Sequence, residues 1–256
     1  MNPTNIQTVA LITGGSRGLG KSMALQLAER GIDSIITYRS SVKEANEVVA
    51  EIGKKGRKAA TLQLEAGDSS GFAAFAEALK AELSRTWQRS TFDFLVNNAG
   101  IGLHTPFEKT TEAQFDELMN IHLKGPFFLT QRLLPLIADG GRILNVSSGL
   151  ARFSFPGAAA YATMKGGIEV LTRYLAKELG ARKISVNTIA PGAIETDFGG
   201  GAVRDNAAMN QMIAAQTALG RVGLPDDIGS AVAMLLAPES GWINGQRIEV
   251  SGGMML

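Results

Sequence analysis

The chain has 256 residues, of which 45% are hydrophobic and 19% charged, and its 25 basic residues nearly balance 24 acidic ones. This composition is typical of a globular protein with a large core and excludes a disordered chain. A net charge of +1 argues against a nucleic-acid partner, which normally needs a concentrated basic surface. The absence of cysteine excludes disulfides, thiolate metal sites and thiol catalysis, and is compatible with a cytoplasmic protein.

Targeting, membrane and metal signals are also missing from the sequence. Residues 1–8 lack a basic segment followed by an apolar one, so we expect no signal peptide. No apolar run reaches the roughly 18 residues of a membrane span, so no membrane partner is expected. His104 and His122 lack the spacing of a metal site, and we interpret them as a polar loop residue and a helix-surface residue.

Short apolar, β-branched runs alternate with segments of helical period along the whole chain. Strands are predicted at residues 8–13, 34–38, 59–64, 92–96, 142–147, 185–189 and 247–250. Helices are predicted at residues 19–29, 43–52, 71–83, 112–137, 158–179 and 226–236. Most of the strands lack polar alternation, as expected when helices cover both faces of a parallel sheet. The pattern predicts an α/β protein with a doubly wound parallel sheet of about seven strands, in one domain spanning residues 1–256.

A glycine-rich turn, TGGSRGLG at residues 13–20, joins the first predicted strand to the first predicted helix. Glycine permits positive φ and lets the backbone approach a phosphate, and a helix N-terminus offers free N–H groups to that phosphate. Because the turn stands between strand and helix, we favour a dinucleotide site over a simple tight turn. The candidate cofactor contacts in this turn are Gly14, Ser16, Arg17, Gly18, Leu19 and Gly20.

The glycine spacing, T-G-x-x-x-G-x-G, resembles that of the short-chain dehydrogenase/reductase family. The resemblance covers nearly the whole chain and continues in order through NNAG at residues 97–100, the serine pair at 147–148, YATMK at 161–165 and PG at 191–192. It is strongest toward NADPH-dependent carbonyl reductases and 3-oxoacyl-ACP reductases. It implies a Rossmann-type fold and reversible hydride transfer between a ketone or aldehyde and an alcohol, with a nicotinamide cofactor.

The resemblance also implies a catalytic set of Asn120, Ser148, Tyr161 and Lys165. Tyr161 would be the general acid/base, and Ser148 would orient the substrate oxygen. Lys165 would bind the nicotinamide ribose, and Asn120 would bend its helix and hold a water that links the lysine to solvent. Tyr161 and Lys165 share one helix face, and a nearby ammonium is expected to lower the pKa of the phenol. Ser147 competes with Ser148, since only one of two successive strand residues can face Tyr161.

NADPH is predicted over NADH from the end of the second strand. An acidic residue there would bind the adenosine ribose hydroxyls and repel a phosphate, but the chain has Tyr38, Arg39 and Ser40 instead. Arg17 adds a second guanidinium suited to a 2′-phosphate. Glu65 and Ala66 stand where the family usually has Asp-Val. The resemblance assigns the remaining cofactor contacts to Glu65, Ala66, Asn97, Ala99, Gly100, Tyr161, Lys165, Pro191, Gly192, Ile194 and Thr196.

The substrate pocket is the least determined part of the site. Residues 192–219 contain four glycines followed by a helical stretch and are interpreted as a substrate lid, with a long loop as the alternative. The pocket side chains are apolar and favour an apolar or aromatic ketone. They are Leu103, Leu150, Phe153, Phe155 and Phe198.

Two other functions remain open at this stage. One is reduction of 3-oxoacyl groups on acyl carrier protein, which would need a basic docking surface, although residues 127–137 hold only Arg132. The other is a non-catalytic NADPH-binding regulator, which the complete catalytic set disfavours. The resemblance implies a homotetramer or homodimer that pairs through the two long helices, and a small-molecule substrate.

Overall fold

The computed structural model describes residues 7–256, so residues 1–6 of the segment in which no signal peptide is expected lie outside the described part. Within that part a sheet of seven parallel strands has the order β3-β2-β1-β4-β5-β6-β7. The strands are β1 Val9–Ile12, β2 Asp33–Tyr38, β3 Ala59–Gln63, β4 Phe92–Asn97, β5 Ile137–Val146, β6 Ser185–Pro191 and β7 Arg247–Val250. The order reverses between β1 and β4, and ligands bind at such a switch point in open α/β sheets.

Helices cover both faces of this sheet, which confirms the predicted doubly wound architecture. Alternate side chains of β1 divide between two cores: Val9 and Leu11 pack with the helices of one face, Ala10 and Ile12 with those of the other. All four are fully buried, as expected for a central parallel strand. The helices are α1 Gly18–Glu29, α2 Val42–Lys54, α3 Phe72–Trp87, α4 Glu112–Met119, α5 Gly125–Leu133, α6 Ala159–Glu178, α7 Ala202–Asp205, α8 Ala207–Ala215 and α9 Pro225–Leu235.

The prediction of one continuous helix at residues 112–137 is wrong, because this segment is interrupted. The chain forms α4, then the π-helical turn Asn120–Lys124, then α5, then the 3₁₀ turn Leu134–Leu136, and β5 already begins at Ile137. Pro126 and Pro135 lack the N–H group that a continuous α-helix needs. A Cβ at Gly125 would lie 2.2 Å from the Ala66 carbonyl oxygen, so the chain passes the end of β3 closely here. Apolar periodicity alone does not reveal these interruptions, because every segment still buries one side.

A buried carboxylate at the start of β2 fastens this strand to the start of β3 and to the end of α3. Asp33 is fully buried; it accepts hydrogen bonds from the Trp87 indole at 2.8 Å and from the backbone N–H of Lys58 at 3.0 Å. Arg57 supplies the compensating charge at 2.8 Å. A buried carboxylate is tolerated only when it is paired and hydrogen-bonded in this way.

No helix among residues 7–256 has the length and apolar character required to cross a membrane.

Candidate active site

The glycine-rich turn has the geometry of a phosphate cradle. Gly14 has φ 67° and Gly18 has φ 55°, a region that side chains with a Cβ rarely adopt. A Cβ at Gly20 would lie 2.2 Å from the Gly14 carbonyl oxygen, so only glycine fits at this position. Arg17 precedes α1 without capping it, and the first turn of α1 carries no acidic residue. The free N–H groups of this helix therefore fit the diphosphate of a dinucleotide.

The end of β4 is fastened to this turn by backbone and side-chain hydrogen bonds. The Thr13 hydroxyl accepts from the backbone N–H groups of Asn98 and Ala99, each at 2.9 Å. The Asn98 side chain donates to the carbonyl oxygens of Thr13 and Gly14 at 2.8 and 3.1 Å. Asn98 is thus a positioning residue outside the predicted site residues, although its place after a buried strand was a usable signal.

The side chain of Asn97, a predicted cofactor contact, forms hydrogen bonds inside the sheet. It is buried in the sheet, where its amide donates to Asn145 at 2.8 Å and to Thr130 at 3.0 Å. Asn145 in turn donates to Thr172 on α6 at 2.9 Å. The Asn97 side chain therefore joins β4, β5 and two helices, and only the backbone of this residue is left to face a cofactor.

Three of the four predicted catalytic residues come together at the beginning of α6. The Lys165 ammonium is buried, donates to the Val146 carbonyl at 2.7 Å and lies 5.4 Å from the centre of the Tyr161 ring. The Ser148 hydroxyl lies near enough to the Tyr161 phenol to lower its pKa, against the larger effect of burial. The Ser148 hydroxyl also accepts from the backbone N–H of Leu150 at 3.2 Å.

The structure separates the two competing serines. The Ser147 hydroxyl is buried and donates at 2.7 Å to the Glu169 carboxylate, about two turns along α6 from Tyr161. Because Ser147 is used in this contact, it is Ser148 that is free to meet a substrate oxygen next to the phenol. The geometry favours the assignment that the family spacing suggested.

Burial governs the titration of Tyr161 and Lys165. It raises the pKa of Tyr161, and the nearby Ser148 hydroxyl offsets this only in part. It lowers the pKa of Lys165 to about 7. The expectation that the ammonium lowers the pKa of the phenol toward neutral pH is therefore not met, because burial disfavours the charged form of both groups.

Asn120 and His122 lie in the π-helical turn. Asn120 begins this turn, and its carbonyl oxygen accepts the N–H of Gly125, so the helix departs from α geometry at the asparagine for which a bend is predicted. The interpretation of His122 as a helix-surface residue is wrong: it is 2% exposed, and its ring lies edge-on to Tyr161 with 5.1 Å between ring centres. His122 stands four residues after buried Leu118, the spacing that places two side chains on one helix face. His104 is exposed in its loop, as expected.

Each arginine of the predicted 2′-phosphate site faces a carboxylate. The Arg39 Nε lies 2.5 Å from a Glu65 oxygen, and an Arg17 nitrogen lies 3.8 Å from Asp197. Tyr38 is half-buried and Ser40 is exposed beside them. The arginines are 67% and 69% exposed, so these ion pairs are weak and a phosphate can compete for the guanidinium groups.

The loop after β6 approaches the glycine-rich turn from the opposite side. Gly192 donates to the Val250 carbonyl at 3.1 Å, and Ile194 pairs with Gly223. Thr196 is buried, and its side chain lies 3.7 Å from where a Cβ on Gly18 would be. Predicted cofactor residues from Gly14 to Thr196 thus lie near one another at the carboxyl ends of the central strands.

The predicted substrate-pocket residues are only partly gathered at Tyr161. Phe198 lies 5.8 Å from the Tyr161 ring centre, and a Cβ on Gly102 would lie 2.8 Å from Gly199. Phe155 is exposed next to His104, while Leu103 and Leu150 are half-buried. Phe153 instead packs into a small apolar cluster below the predicted lid, with Ile213, Val222 and Met254.

A surface cleft of about 390 Å³ lies elsewhere, between α3 and α5, and none of the predicted site residues line it. Among the described residues, no three His, Asp or Glu side chains come together as a metal site.

Comparison with known proteins defines the class to which this site belongs. A family model described as "Enoyl-(Acyl carrier protein) reductase" matches residues 14–255. The chain is 38% identical to a hydroxynaphthalene reductase-like protein Arp2 of Metarhizium brunneum (strain ARSEF 3297), over 96% of this chain and 94% of that relative. It is 35% identical to the short-chain dehydrogenase/reductase FrzI of Cladobotryum sp, over 99% and 98% of the two chains.

A solved structure of the angucycline C-6 ketoreductase LanV with bound NADP resembles the whole chain. Its TM-score is 0.93 at 34% identity, with 98% of this chain and 97% of that chain covered. The chain belongs to the short-chain dehydrogenase/reductase family, and it is an oxidoreductase that interconverts carbonyl and alcohol groups.

Proposed function

We propose that this protein is an NADPH-dependent ketoreductase that acts on apolar, aromatic ketones, with Tyr161 as the general acid. The cluster of Ser148, Tyr161 and Lys165 beside the glycine-rich cradle carries the proposal. Phe198 adds an aromatic wall against Tyr161. Relatives named as a hydroxynaphthalene reductase-like protein and an angucycline ketoreductase support a fused-ring ketone as the substrate class.

The chain's own residues divide the work of the reduction. When bound, the nicotinamide supplies the hydride that the protein itself lacks. The Ser148 hydroxyl holds the substrate oxygen by a hydrogen bond, and the Tyr161 hydroxyl delivers the proton to that oxygen. Lys165 binds cofactor hydroxyl groups and stabilises negative charge on the phenol oxygen after proton transfer. Asn120 holds the helix bend from which a proton returns to the lysine through water.

The titration of Tyr161 suits the reductive direction. A general acid must carry its proton before the reaction, and burial raises the pKa of this phenol, which keeps it protonated at neutral pH. Oxidation of an alcohol needs the phenolate, which the same burial disfavours. We therefore propose that ketone reduction is the faster direction at neutral pH.

The choice of NADPH depends on Arg39 and Arg17 at the adenosine end of the cleft. Both guanidinium groups are exposed and suited to bidentate contact with a 2′-phosphate. The bound NADP in the LanV structure supports the same choice. The remaining predicted contacts, from Gly14 in the cradle to Thr196 above it, would hold the diphosphate and the nicotinamide.

Residues 192–219 are proposed as a substrate lid. Gly199, Gly200 and Gly201 have φ values of 62°, 77° and 78°, and a Cβ on either of the first two would touch nothing within 4 Å. Glycine is therefore required there by the backbone conformation rather than by space. This glycine run precedes α7 and α8 and provides a hinge for a segment that reaches Tyr161 through Phe198.

A second copy of the chain is the proposed partner in solution. The outer faces of α4, α5 and α6 expose large apolar side chains: Phe115, Phe127, Phe128, Val170 and Tyr174. A monomer rarely leaves such a patch uncovered, and a two-fold dimer would bury it against itself. The helices α4 and α5 lie within residues 112–137, and α6 lies within residues 158–179. These are the two predicted long helices through which the family resemblance implies pairing, as a homodimer or homotetramer.

Reduction of 3-oxoacyl groups on acyl carrier protein is the second candidate function. The description of the matching family model, which names an acyl carrier protein, favours it. An acidic carrier would need a basic surface at the mouth of the cleft. Arg132 lies instead in the separate cleft between α3 and α5, where Lys80 is already paired with Glu77.

Oxidation of NADPH by a panel of substrates tests the proposal. The panel contains fused-ring aromatic ketones, monocyclic aryl ketones, sugars and 3-oxoacyl thioesters, and NADH is used in parallel. Selective turnover of aromatic ketones with NADPH would support the proposed function. Preference for acyl-carrier thioesters would favour the second candidate, and tight NADPH binding without any turnover would favour a regulatory role.

A further inference from the structure

His122 connects the π-helical turn to the wall of the active site. Its Nε2 lies 2.8 Å from the Ile101 carbonyl oxygen and 3.2 Å from the Ile101 nitrogen. Its ring lies edge-on to Tyr161, with an interplanar angle of 86°. The residue is nearly fully buried, and the roles assigned above to Tyr161, Ser148, Lys165 and Asn120 make no use of it.

The surroundings fix the charge and tautomer of this imidazole. Burial, and secondly the charge of Lys165, lower the pKa of His122 to about 3, so the ring is neutral under ordinary conditions. The Ile101 N–H points at Nε2 from 3.2 Å, which would need a lone pair on Nε2, whereas the carbonyl oxygen at 2.8 Å needs the proton there. We assign the proton to Nε2, because a lone pair on Nε2 would repel the carbonyl oxygen at the shorter distance. The Nδ1 atom has no hydrogen-bond partner. One ring nitrogen therefore carries the whole polar contact, as a donor to Ile101.

The segment that His122 holds is tightly packed around Tyr161. A Cβ on Gly100 would lie 2.6 Å from the imidazole, so glycine is needed where the chain passes the ring. Beyond Ile101, a Cβ on Gly102 would lie 2.9 Å from the Phe198 ring, which itself contacts Tyr161. His122, the 100–102 segment, Phe198 and Tyr161 form a closed ring of contacts on the substrate side of the phenol.

We propose that His122 is a positioning residue: its Nε2–H clamps the Ile101 carbonyl and thereby fixes the pocket wall relative to the Tyr161 hydroxyl. This inference rests on the proposed ketoreductase function. A wall that shifts by a fraction of an ångström would misalign a substrate carbonyl with the proton donor, which lowers kcat. Cofactor binding depends on the glycine-rich turn and would not change.

A matched pair of variants, His122→Gln and His122→Asn, isolates the clamp. Both remove the ring and its contact with Tyr161, but only the glutamine amide extends as far as Nε2 and can donate to Ile101. We expect His122→Gln to keep kcat within about 3-fold of wild type and His122→Asn to lose about 10-fold or more. The Kd for NADPH, measured by fluorescence, is expected to stay within about 2-fold in both.

Equal kcat values in the two variants would overturn the proposal, as would a loss in His122→Asn that appears only as weaker NADPH binding. Should His122→Asn fail to fold, His122→Phe keeps the ring and lacks the donor, and is expected to show the same loss of kcat. Absence of turnover by the wild-type protein on every ketone would instead contradict the proposed function.

Nitrogen-15 NMR of the histidine side chains measures the protonation and tautomer of His122 without any enzymatic reaction. The chain has two histidines, so the His122 signals are assigned by their disappearance in His122→Gln. We expect a neutral His122 imidazole with its proton on Nε2 at pH 5. A charged His122 at this pH, or a proton on Nδ1, would overturn the proposal even for a protein with no measurable turnover.

Discussion

At the scale of single residues, desolvation is the main physical influence on the site. Tyr161 and Lys165 are both buried, and burial raises the pKa of Tyr161 and lowers that of Lys165, so the neutral form of each is favoured. The family resemblance supplies the identity of these residues but not this balance, since the degree of burial depends on the packing of α6 against β5. In the proposed mechanism, this protonated phenol is the donor to the substrate oxygen.

Replacing Tyr161 by phenylalanine tests the role of the phenol. The ring and its packing against His122 and Phe198 remain, while the proton donor is lost. We expect kcat for ketone reduction to fall by about 10² to 10⁴-fold. NADPH binding and thermal stability serve as controls and are expected to change little. Retention of more than a tenth of the wild-type kcat would contradict the assignment.

Lys165 also makes the stability of the protein depend on pH. Its pKa falls from the usual 10.5 to about 7 on folding. Between these values the unfolded chain binds a proton that the native chain does not, so this group makes stability rise with pH by up to about 1.4 kcal/mol per unit. Lys165→Met is expected to lose that rise. The free energy of unfolding of both proteins is measured in urea between pH 7 and 10. An equal change with pH in both would contradict the lowered pKa of Lys165.

Arg39 provides a test of cofactor choice. Replacement by aspartate removes a phosphate ligand and repels the 2′-phosphate, so NADPH affinity is expected to fall by about 10 to 100-fold, with NADH less affected. Arg30→Asp makes the same charge change at the far end of α1 and is the control. Binding of 2′,5′-ADP and 5′-AMP, followed by calorimetry, separates the phosphate contact from catalysis. An unchanged preference for 2′,5′-ADP would contradict the assignment.

At the scale of elements, the region between β4 and β5 differs most from expectation. Apolar spacing over residues 112–137 predicts a helix, and most of these residues are indeed helical, but in α4, a π-helical turn and α5. The strands and the glycine-rich turn could be predicted because their signals are local. The burial of His122 was not predicted, because its polar side chain suggested the surface although it shares a helix face with the apolar Leu118.

Gly125 is expected to be essential to this arrangement. A Cβ there would lie 2.2 Å from the Ala66 carbonyl oxygen and 2.8 Å from that of Asn120, both backbone atoms that cannot move freely. Gly125→Ala is expected to destabilise the fold by about 1–3 kcal/mol and to lower kcat, because Asn120 shifts.

The control for Gly125→Ala is Gly166→Ala, since Gly166 lies within α6 with nothing near its Cβ position. This substitution is expected to stabilise the helix by about 0.5–1 kcal/mol. Chemical unfolding measures both variants. Equal stability of the two alanine variants would refute the close passage of the chain at Gly125.

At the scale of the whole molecule, the helices on the two faces of the sheet differ in how much apolar surface they leave exposed. The helices α1, α2 and α9 close one face with a continuous apolar core. On the other face, α4, α5 and α6 bury one side and expose aromatic groups on the other. The family resemblance predicted pairing through these helices, and the exposed apolar side chains give that prediction a physical basis.

Charge placed on this outer face is expected to prevent assembly. Phe128→Asp and Tyr174→Lys, alone and together, introduce charges that a buried interface cannot accommodate. We expect light scattering after size-exclusion chromatography to give a dimer or tetramer for wild type and a smaller species for the double variant. Val42→Asp, an exposed apolar site on α2, is the control. A monomeric wild type would refute the proposed pairing.

The buried carboxylate at the start of β2 gives the protein two contrasting intrinsic fluorophores. Trp87 is almost fully enclosed and donates its indole N–H to Asp33, whereas Trp242 is 100% exposed, and the chain has no other tryptophan. Emission from the first indole is therefore blue-shifted and inaccessible to iodide, and emission from the second is red-shifted and quenchable. A Trp242→Phe protein would carry Trp87 as its single tryptophan, next to the start of β2. A red shift of the Trp87 emission during denaturation would report the loss of packing at that end of the strand.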